Sequence, residues 1–273
     1  MANDHSAQHG RPYPPVLTIN GDGLSPFVLV CDHASNRIPD EYGTLGLTGE
    51  QRLMHIAWDP GALAVALELS EILDAPLIHS TVCRLVIDSN RATDKHDLIP
   101  VVSERTEIAA NAGIGDAERQ RRIADFHAPF HARIDALLNA RGAAGYETIL
   151  VTVHSFTPTY RGVQRPWSIG LIHGSNPSFT ERVRESLLAD DPDLNVGWNE
   201  PYSAMNGVTY TLEHHGDGRG LDATMIEIRH DEILEPAGVN LWATRLARCL
   251  DLARGGVRRA AATELLGSTR RHP

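Results

Sequence analysis

Cysteine is scarce. Cys31, Cys83 and Cys249 make only three in the chain, an odd number without the close pairing of a zinc knuckle, so neither a disulfide framework nor a cysteine-built metal site is expected, and the thiols suit a reducing compartment. Basic charge is also in deficit: 25 Lys and Arg face 35 Asp and Glu, a formal charge of −10. That balance lacks the broad cationic surface needed for nucleic acid. No run of about 18 apolar residues exists to span a membrane, and the opening stretch carries Asp4, His5, His9 and Arg11 where a signal peptide would be apolar. The expectation is a cytoplasmic protein without nucleic-acid or membrane partners. Three motifs are missing too: the Gly-x-Ser-x-Gly elbow, the phosphate loop with Lys, and the dinucleotide glycine fingerprint. Serine hydrolase, nucleotidase and dehydrogenase readings therefore lack their signals.

What is present is enough apolar material for a large core, 42% of 273 residues, punctuated by Gly and Pro without internal repeats. One domain over 1–273 is expected, with residues 1–14 and 258–273 as mobile ends. Phe27–Cys31 is a continuous apolar run, as in a strand covered on both faces, and it empties into Asp32-His33-Ala34-Ser35-Asn36. Helical spacing with Pro60 at the start marks residues 60–73. Strands are predicted at Pro76–Ser80, Arg84–Asp88, Thr148–Val153, Ser168–His173, Leu194–Trp198 and Ala223–Arg229. Further helices are predicted at Asp116–Arg141, Ser178–Ala189 and Asn240–Arg254. Alternation of this kind implies a three-layer αβα fold with a mixed, mostly parallel central sheet. The polar excursion through residues 92–115 is long enough to cover a site.

Open α/β sheets bind ligands beyond the carboxyl ends of their strands. His33, Asn90 with Arg91, His154 and Glu227 fall at or just past such ends, although they are far apart in sequence. His33 and His154 suit a catalytic metal, which takes imidazoles and carboxylates and keeps one position open for water. Asp59, before Pro60, reads equally as a ligand or as the cap of the following helix. Glu227 alternates with apolar neighbours in Met225–Arg229 and could exchange a proton with an activated water, or simply pair with an arginine. Arg84, Arg91, Arg161, Arg165 and Arg229 lie near strand ends in an acidic protein, and guanidinium groups in a pocket would imply an acidic small molecule. Tyr160 and Trp167 could wall that pocket or belong to the core. His127 and His131 share a helix face that reads as solvated, and His214-His215, in a Gly-rich stretch, could approach the site on a mobile loop.

The motifs Cys31-Asp32-His33-Ala34-Ser35-Asn36-Arg37-Ile38-Pro39, Trp58-Asp59-Pro60-Gly61-Ala62, Cys83 through Arg91, Val153-His154-Ser155-Phe156-Thr157-Pro158 and Ile226-Glu227-Ile228-Arg229 resemble, in order, those of the N-formylglutamate amidohydrolase family. The likeness runs over roughly residues 25–250. It implies hydrolysis of N-formyl-L-glutamate, a late step of one histidine degradation route, on a fold similar to zinc carboxypeptidases and to the succinylglutamate desuccinylase and aspartoacylase group. By that resemblance His33 and His154 would bind zinc, Arg84, Asn90 and Arg91 would hold substrate carboxylates, and Glu227 would be the base. Those relatives carry a second metal ligand as Glu where this chain has Asn36. Either Asp59 completes the sphere, with Asn36 nearby, or metal affinity is reduced. The departure also leaves room for another class of protein, one that binds an acidic small molecule in the same pocket without turnover.

Overall fold

In the computed structural model, which describes residues 13–202 and 207–268, every residue of the Phe27–Cys31 strand is buried. The elements in chain order are β1 (Val16–Ile19), β2 (Phe27–Cys31), α1 (Ala62–Leu73), β3 (Leu77–Ser80), the hairpin β4 (Val102–Ser103) and β5 (Thr106–Glu107), α2 (Asp116–Arg122), α3 (Ala128–Ala143), β6 (Ile149–Phe156), the hairpin β7 (Thr159–Tyr160) and β8 (Val163–Gln164), β9 (Ile169–Ile172), α4 (Ser178–Asp190), β10 (Val196–Trp198), β11 (Asp222–Arg229) and α5 (Pro236–Ser268). Seven strands form one sheet in the order β1-β3-β2-β6-β11-β9-β10. β1 runs antiparallel to β3 and β11 antiparallel to β9; the other neighbours are parallel. This is the expected three-layer α/β arrangement.

Side chains two apart on a strand share a face. Phe27, Leu29, Val151, Val153, Ile226 and Ile228 pack with α1, α4 and α5, while Val28, Val30, Leu150 and Met225 pack on Phe130, Ile134 and Leu138 of α3. Full burial of one such side chain stabilises by roughly 1.5–3 kcal/mol. A one-residue slip would exchange the faces and turn His154 and Glu227 into the α1 and α5 layer, so apolar packing itself fixes where these polar groups point. The chain leaves β2 through α1 on one face to reach β3 and returns through α3 on the other to reach β6. Between β2 and β6 the order reverses, and a crevice opens beyond their carboxyl ends.

Several sequence expectations are corrected. Arg84–Asp88 is not a strand: Cys83, Arg84 and Asp88 send their backbone N–H groups to the carbonyls of Arg37, Ala57 and Leu98. Its Leu85-Val86-Ile87 run is buried in a separate core under the excursion, so the apolarity was real but the hydrogen bonds go to loops. The single helix read over Asp116–Arg141 is interrupted by a π-helical turn, Ile123–His127, just before Pro129, which has no N–H to continue a regular ladder. The closing helix, predicted over Asn240–Arg254, is longer at both ends, as α5 from Pro236 to Ser268. The lead-in read over 1–14 lies, apart from residues 13 and 14, outside the described residues, as do residues 269–273. Among the described residues no helix is long and apolar enough to cross a membrane.

Candidate active site

His33 stands two residues beyond β2, and His154 and Glu227 are register partners on the parallel strands β6 and β11, so they project side by side on the α3 face. Asp59 joins them from the turn before α1. The cap reading of Asp59 is not what is found. Gly61, with φ of 80°, occupies the cap position without a side-chain bond. The Asp59 carboxylate turns instead to the histidines, with Oδ2 2.9 Å from His154 Nδ1 and 3.3 Å from His33 Nδ1. Gly61 is required there: a Cβ would lie 2.5 Å from the Ile233 carbonyl oxygen.

The outer ring nitrogens also meet carboxylates. His33 Nε2 donates to Asp88 Oδ1 at 2.7 Å, and His154 Nε2 lies 3.1 Å from Asp32 Oδ2, close enough for an ion pair but without hydrogen-bond geometry. Asp32 accepts from the Thr211 hydroxyl, and Asp88 from Arg84 Nη2 at 2.8 Å and from the Asn90 backbone N–H at 2.9 Å. Each imidazole thus sits between two carboxylates. A neutral ring has one N–H and can satisfy only one of them, so an extra proton or a cation between the inner nitrogens and Asp59 is needed. Burial and Arg84 push His33 down, yet Asp88 and Asp59 outweigh them and hold it above its ordinary value. Burial likewise opposes the charged form of His154, but the carboxylates of Asp32 and Asp59 on either side hold it well above. Burial works against the Asp59 anion too, and the two histidines still keep its carboxyl far below the usual range.

The same arrangement fits a metal ion. One ligand atom from each of His33, Asp59 and His154 lies within 4.8 Å of the others, and the rings meet edge to face with centroids 5.1 Å apart. Tetrahedral coordination with bonds near 2 Å separates ligand atoms by about 3.3 Å, close to the two distances onto Asp59. Carboxylates behind ligating imidazoles are the usual support of such a site. Glu227 is buried beside it with Oε2 unpartnered. Burial pushes its carboxyl up to about 7, although the charge on His154 pulls the other way.

A cleft of about 280 Å³ opens over this cluster, lined by Arg84, Asn90, Arg91, Tyr160, Arg161 and Tyr202 among others. The 92–115 excursion contributes Asp97, Pro100, Val102, Ser103 and Glu104 to the wall, and Glu104 pairs with His55 Nε2 at 2.8 Å. Of the residues singled out in the sequence, His33, Asp59, Arg84, Asn90, Arg91, His154 and Glu227 come together here. Arg84 bridges Asp88 and Asp59, the latter at 3.4 Å, and Arg91 Nε donates to Asp97 at 2.9 Å. The Asn90 side chain is occupied by Val208 O and the Thr211 N–H, so it positions the neighbouring chain. Arg165 stands one layer back, 3.3 Å from the Tyr202 hydroxyl and over the Tyr160 ring.

Two expected members are elsewhere: Arg229 binds Asp231 and Glu232, and Asn36 donates to the Arg52 carbonyl. His127 and His131 are buried rather than solvated. His214-His215 lies in a second π-helical turn, Leu212–Gly216, against His131, and not on a loop reaching the cleft. Asp32, Asp88, His55 and Tyr202 were missed. Asp32 precedes His33 directly and Asp88 lies two residues before Asn90, and the need of a strand-end histidine for an acid behind it was the available signal.

A family model described as N-formylglutamate amidohydrolase matches residues 25–234. Among solved structures, the gene product Atu2144 of Agrobacterium tumefaciens is 38% identical with a TM-score of 0.88, over 90% of this chain and 97% of that one. The N-formylglutamate amidohydrolase of Ralstonia eutropha JMP134 is 21% identical with a TM-score of 0.65, over 91% of this chain and all 100% of that one. No curated protein sequence matches the chain.

Proposed function

The chain belongs to the N-formylglutamate amidohydrolase family, and from that premise we propose that it hydrolyses the amide bond of N-formyl-L-glutamate, or of a closely related N-acylated acidic amino acid, with a zinc-class divalent ion held by His33, Asp59 and His154. One observation carries this reading: both imidazole Nδ1 atoms converge on a single Asp59 oxygen while the buried Glu227 stands in register with His154. Such an ion, when bound, polarises the acyl carbonyl and lowers the pKa of water. The remaining chemistry belongs to the protein. Glu227, shifted toward neutrality by burial, accepts a proton from water and returns it to the departing amine; a carboxylate with its value near the working pH serves both directions. Asp88 and Asp32 orient the histidines from behind.

For the substrate carboxylates the cleft offers Arg84, whose guanidinium retains N–H donors beyond the two given to Asp88 and Asp59, and Arg91, with Arg161 stacked on Tyr160 at the mouth. Planar donors of this kind grip carboxylates in pairs. The binding-only alternative drew its support from Asn36 standing in a ligand's place. Asp59 supplies a carboxylate at the cluster instead, so no observation favours that alternative. Protein stripped with chelator should release no formate from N-formylglutamate, and zinc should restore release. Equal rates with and without metal remove the metal from the reaction, and a best substrate lacking a side-chain carboxylate removes the arginine-lined specificity.

A further inference from the structure

Four histidines outside the cleft lining gather in one cluster and take no part in the proposed reaction: His127, His131, His214 and His215. Two π-helical turns carry three of them, Ile123–His127 and Leu212–Gly216, and turns of this kind are rare and concentrate at functional sites. The rings form a stack, with centroids 4.4 Å apart for His127 and His131, 5.2 Å for His131 and His215, and 4.7 Å for His214 and His215. Asp135 of α3 closes the group, its carboxylate 3.3 Å from His215 Nδ1.

The hydrogen bonds assign the protons along this stack. The Ser89 carbonyl can only accept, so His131 Nε2, 2.9 Å away, carries hydrogen. Burial and the neighbouring imidazoles keep His131 neutral, so its Nδ1 has a lone pair and must accept from His215 Nε2 at 2.9 Å. That uses the single hydrogen of a neutral His215. Its Nδ1 is left with a lone pair, wholly buried and without a hydrogen-bond partner, aimed at a carboxylate oxygen that is also an acceptor. His214 stands beside it, and ligand atoms from Asp135, His214 and His215 all lie within 4.8 Å of one another.

We propose that Asp135, His214 and His215 form a second metal site, separate from the cleft, that takes one divalent first-row transition ion of the zinc or cobalt class. Two imidazoles with one carboxylate and no thiol suit such borderline ions better than magnesium or calcium. Arg219 donates to Asp135 Oδ1 at 2.5 Å and to Asn139 at 2.7 Å. It need not leave, because a carboxylate offers about four lone-pair directions and an arginine and an ion can share it. His214 is exposed and Asp135 half-buried, so an ion enters from the outer surface without crossing the cleft. Once bound it ties α3 to the Leu212–Gly216 turn. Through His131 that tie extends to the carbonyl of Ser89, next to Asn90 and Arg91 of the cleft wall. The ion is a brace, and its binding stands independently of the proposed reaction.

The test is metal stoichiometry on the full chain. Chelator-stripped protein titrated with cobalt, read by calorimetry, by the visible absorption of the ion and by elemental analysis after dialysis, should bind two ions per chain. The Asp135→Asn/His214→Gln double variant should bind one, with affinity at the second site down by more than the 10–100-fold typical of losing a supporting group. His154→Gln should lose the other ion and keep this one. Both altered residues in the double variant reach solvent, and its metal-free melting temperature should match the parent's; if it does not, His214→Gln alone should still weaken and recolour the second cobalt signal. An ion that survives His154→Gln and disappears with Asp135→Asn/His214→Gln supports the site even if the cleft proves metal-free. Identical stoichiometry and affinity in parent and double variant overturn it, leaving His215 as an imidazolium paired with Asp135.

Discussion

Two groups of histidines on the same side of the sheet are driven in opposite directions by their partners. At the cleft each ring lies between carboxylates, and His33 and His154 are held above the ordinary imidazole value against the pull of burial. In the neighbouring stack burial and the adjacent imidazoles outweigh the carbonyl at His131 and the one carboxylate, Asp135, at His215, and His131 falls to about 3 and His215 to about 4. Burial is common to both. The acids decide the sign, and with it whether a ring is braced for a cation by anions or kept neutral as a lone-pair donor.

The sharpest way to test the cleft side of this contrast is Glu227→Gln. Loss of a positioned proton carrier removes about 10²–10⁴-fold in rate, so kcat for formate release should fall by that range while N-formylglutamate still raises the melting temperature. Turnover within a few-fold of the parent would take Glu227 out of the chemistry. Next in size is Asp88→Asn, which keeps the shape behind His33 and removes the charge. A supporting carboxylate is worth about 10–100-fold in metal affinity or activity, and cobalt titration should register a loss of that order; unchanged affinity would show that His33 needs no anion behind it.

The stack gives a smaller effect with a definite sign. His131 has a folded value of about 3 against the ordinary imidazole value of 6.5, so below pH 6.5 the unfolded chain takes up a proton that the folded chain refuses. The stability due to this group is complete above the unfolded value and is lost as the pH falls toward 3, by up to about 1.4 kcal/mol per pH unit. Urea unfolding of chelator-treated protein at several pH values between 6.5 and 4.5 should therefore show a steeper decline for the parent than for His131→Asn. Parallel curves would mean that His131 is charged in the folded state.

The cleft half of this contrast could be read from the residues alone, for a physical reason. Phe27–Cys31 and Thr148–Val153 are apolar runs emptying into histidines, and a buried strand has few ways to end, so His33 and His154 could be placed at one rim. The alternation around Glu227 put its carboxylate on the opposite face from Ile226 and Ile228, where it is found. What could not be read depended on partners distant in sequence. Leu85-Val86-Ile87 looks like a strand until the backbone is seen bonding to Arg37, Ala57 and Leu98. Helical spacing brought His127 and His131 onto one face, but only the packing of the Leu212–Gly216 turn against them makes that face buried. Asp59 was ambiguous because a cap and a ligand have the same sequence signature; the left-handed Gly61 after it takes the cap position and leaves the carboxylate facing the two histidines.

The smallest expected effect tests whether proximity in sequence was mistaken for proximity in space. Arg229 ends β11, two residues after Glu227, and was read as a substrate contact, but its guanidinium is committed to Asp231 at 2.7 Å and Glu232 at 3.1 Å and does not line the cleft. Its ion pairs are partly exposed, and such pairs contribute about 0–1 kcal/mol. Arg229→Ala should therefore leave KM for N-formylglutamate within about twofold of the parent, a change of roughly 0.5 kcal/mol. Arg161→Ala, at the cleft mouth and stacked on Tyr160, should raise KM several-fold more. If Arg229→Ala raises KM as much as Arg161→Ala does, the guanidinium must leave its two acids when substrate arrives, and the boundary drawn here between the cleft and the acidic pair beyond β11 would have to move.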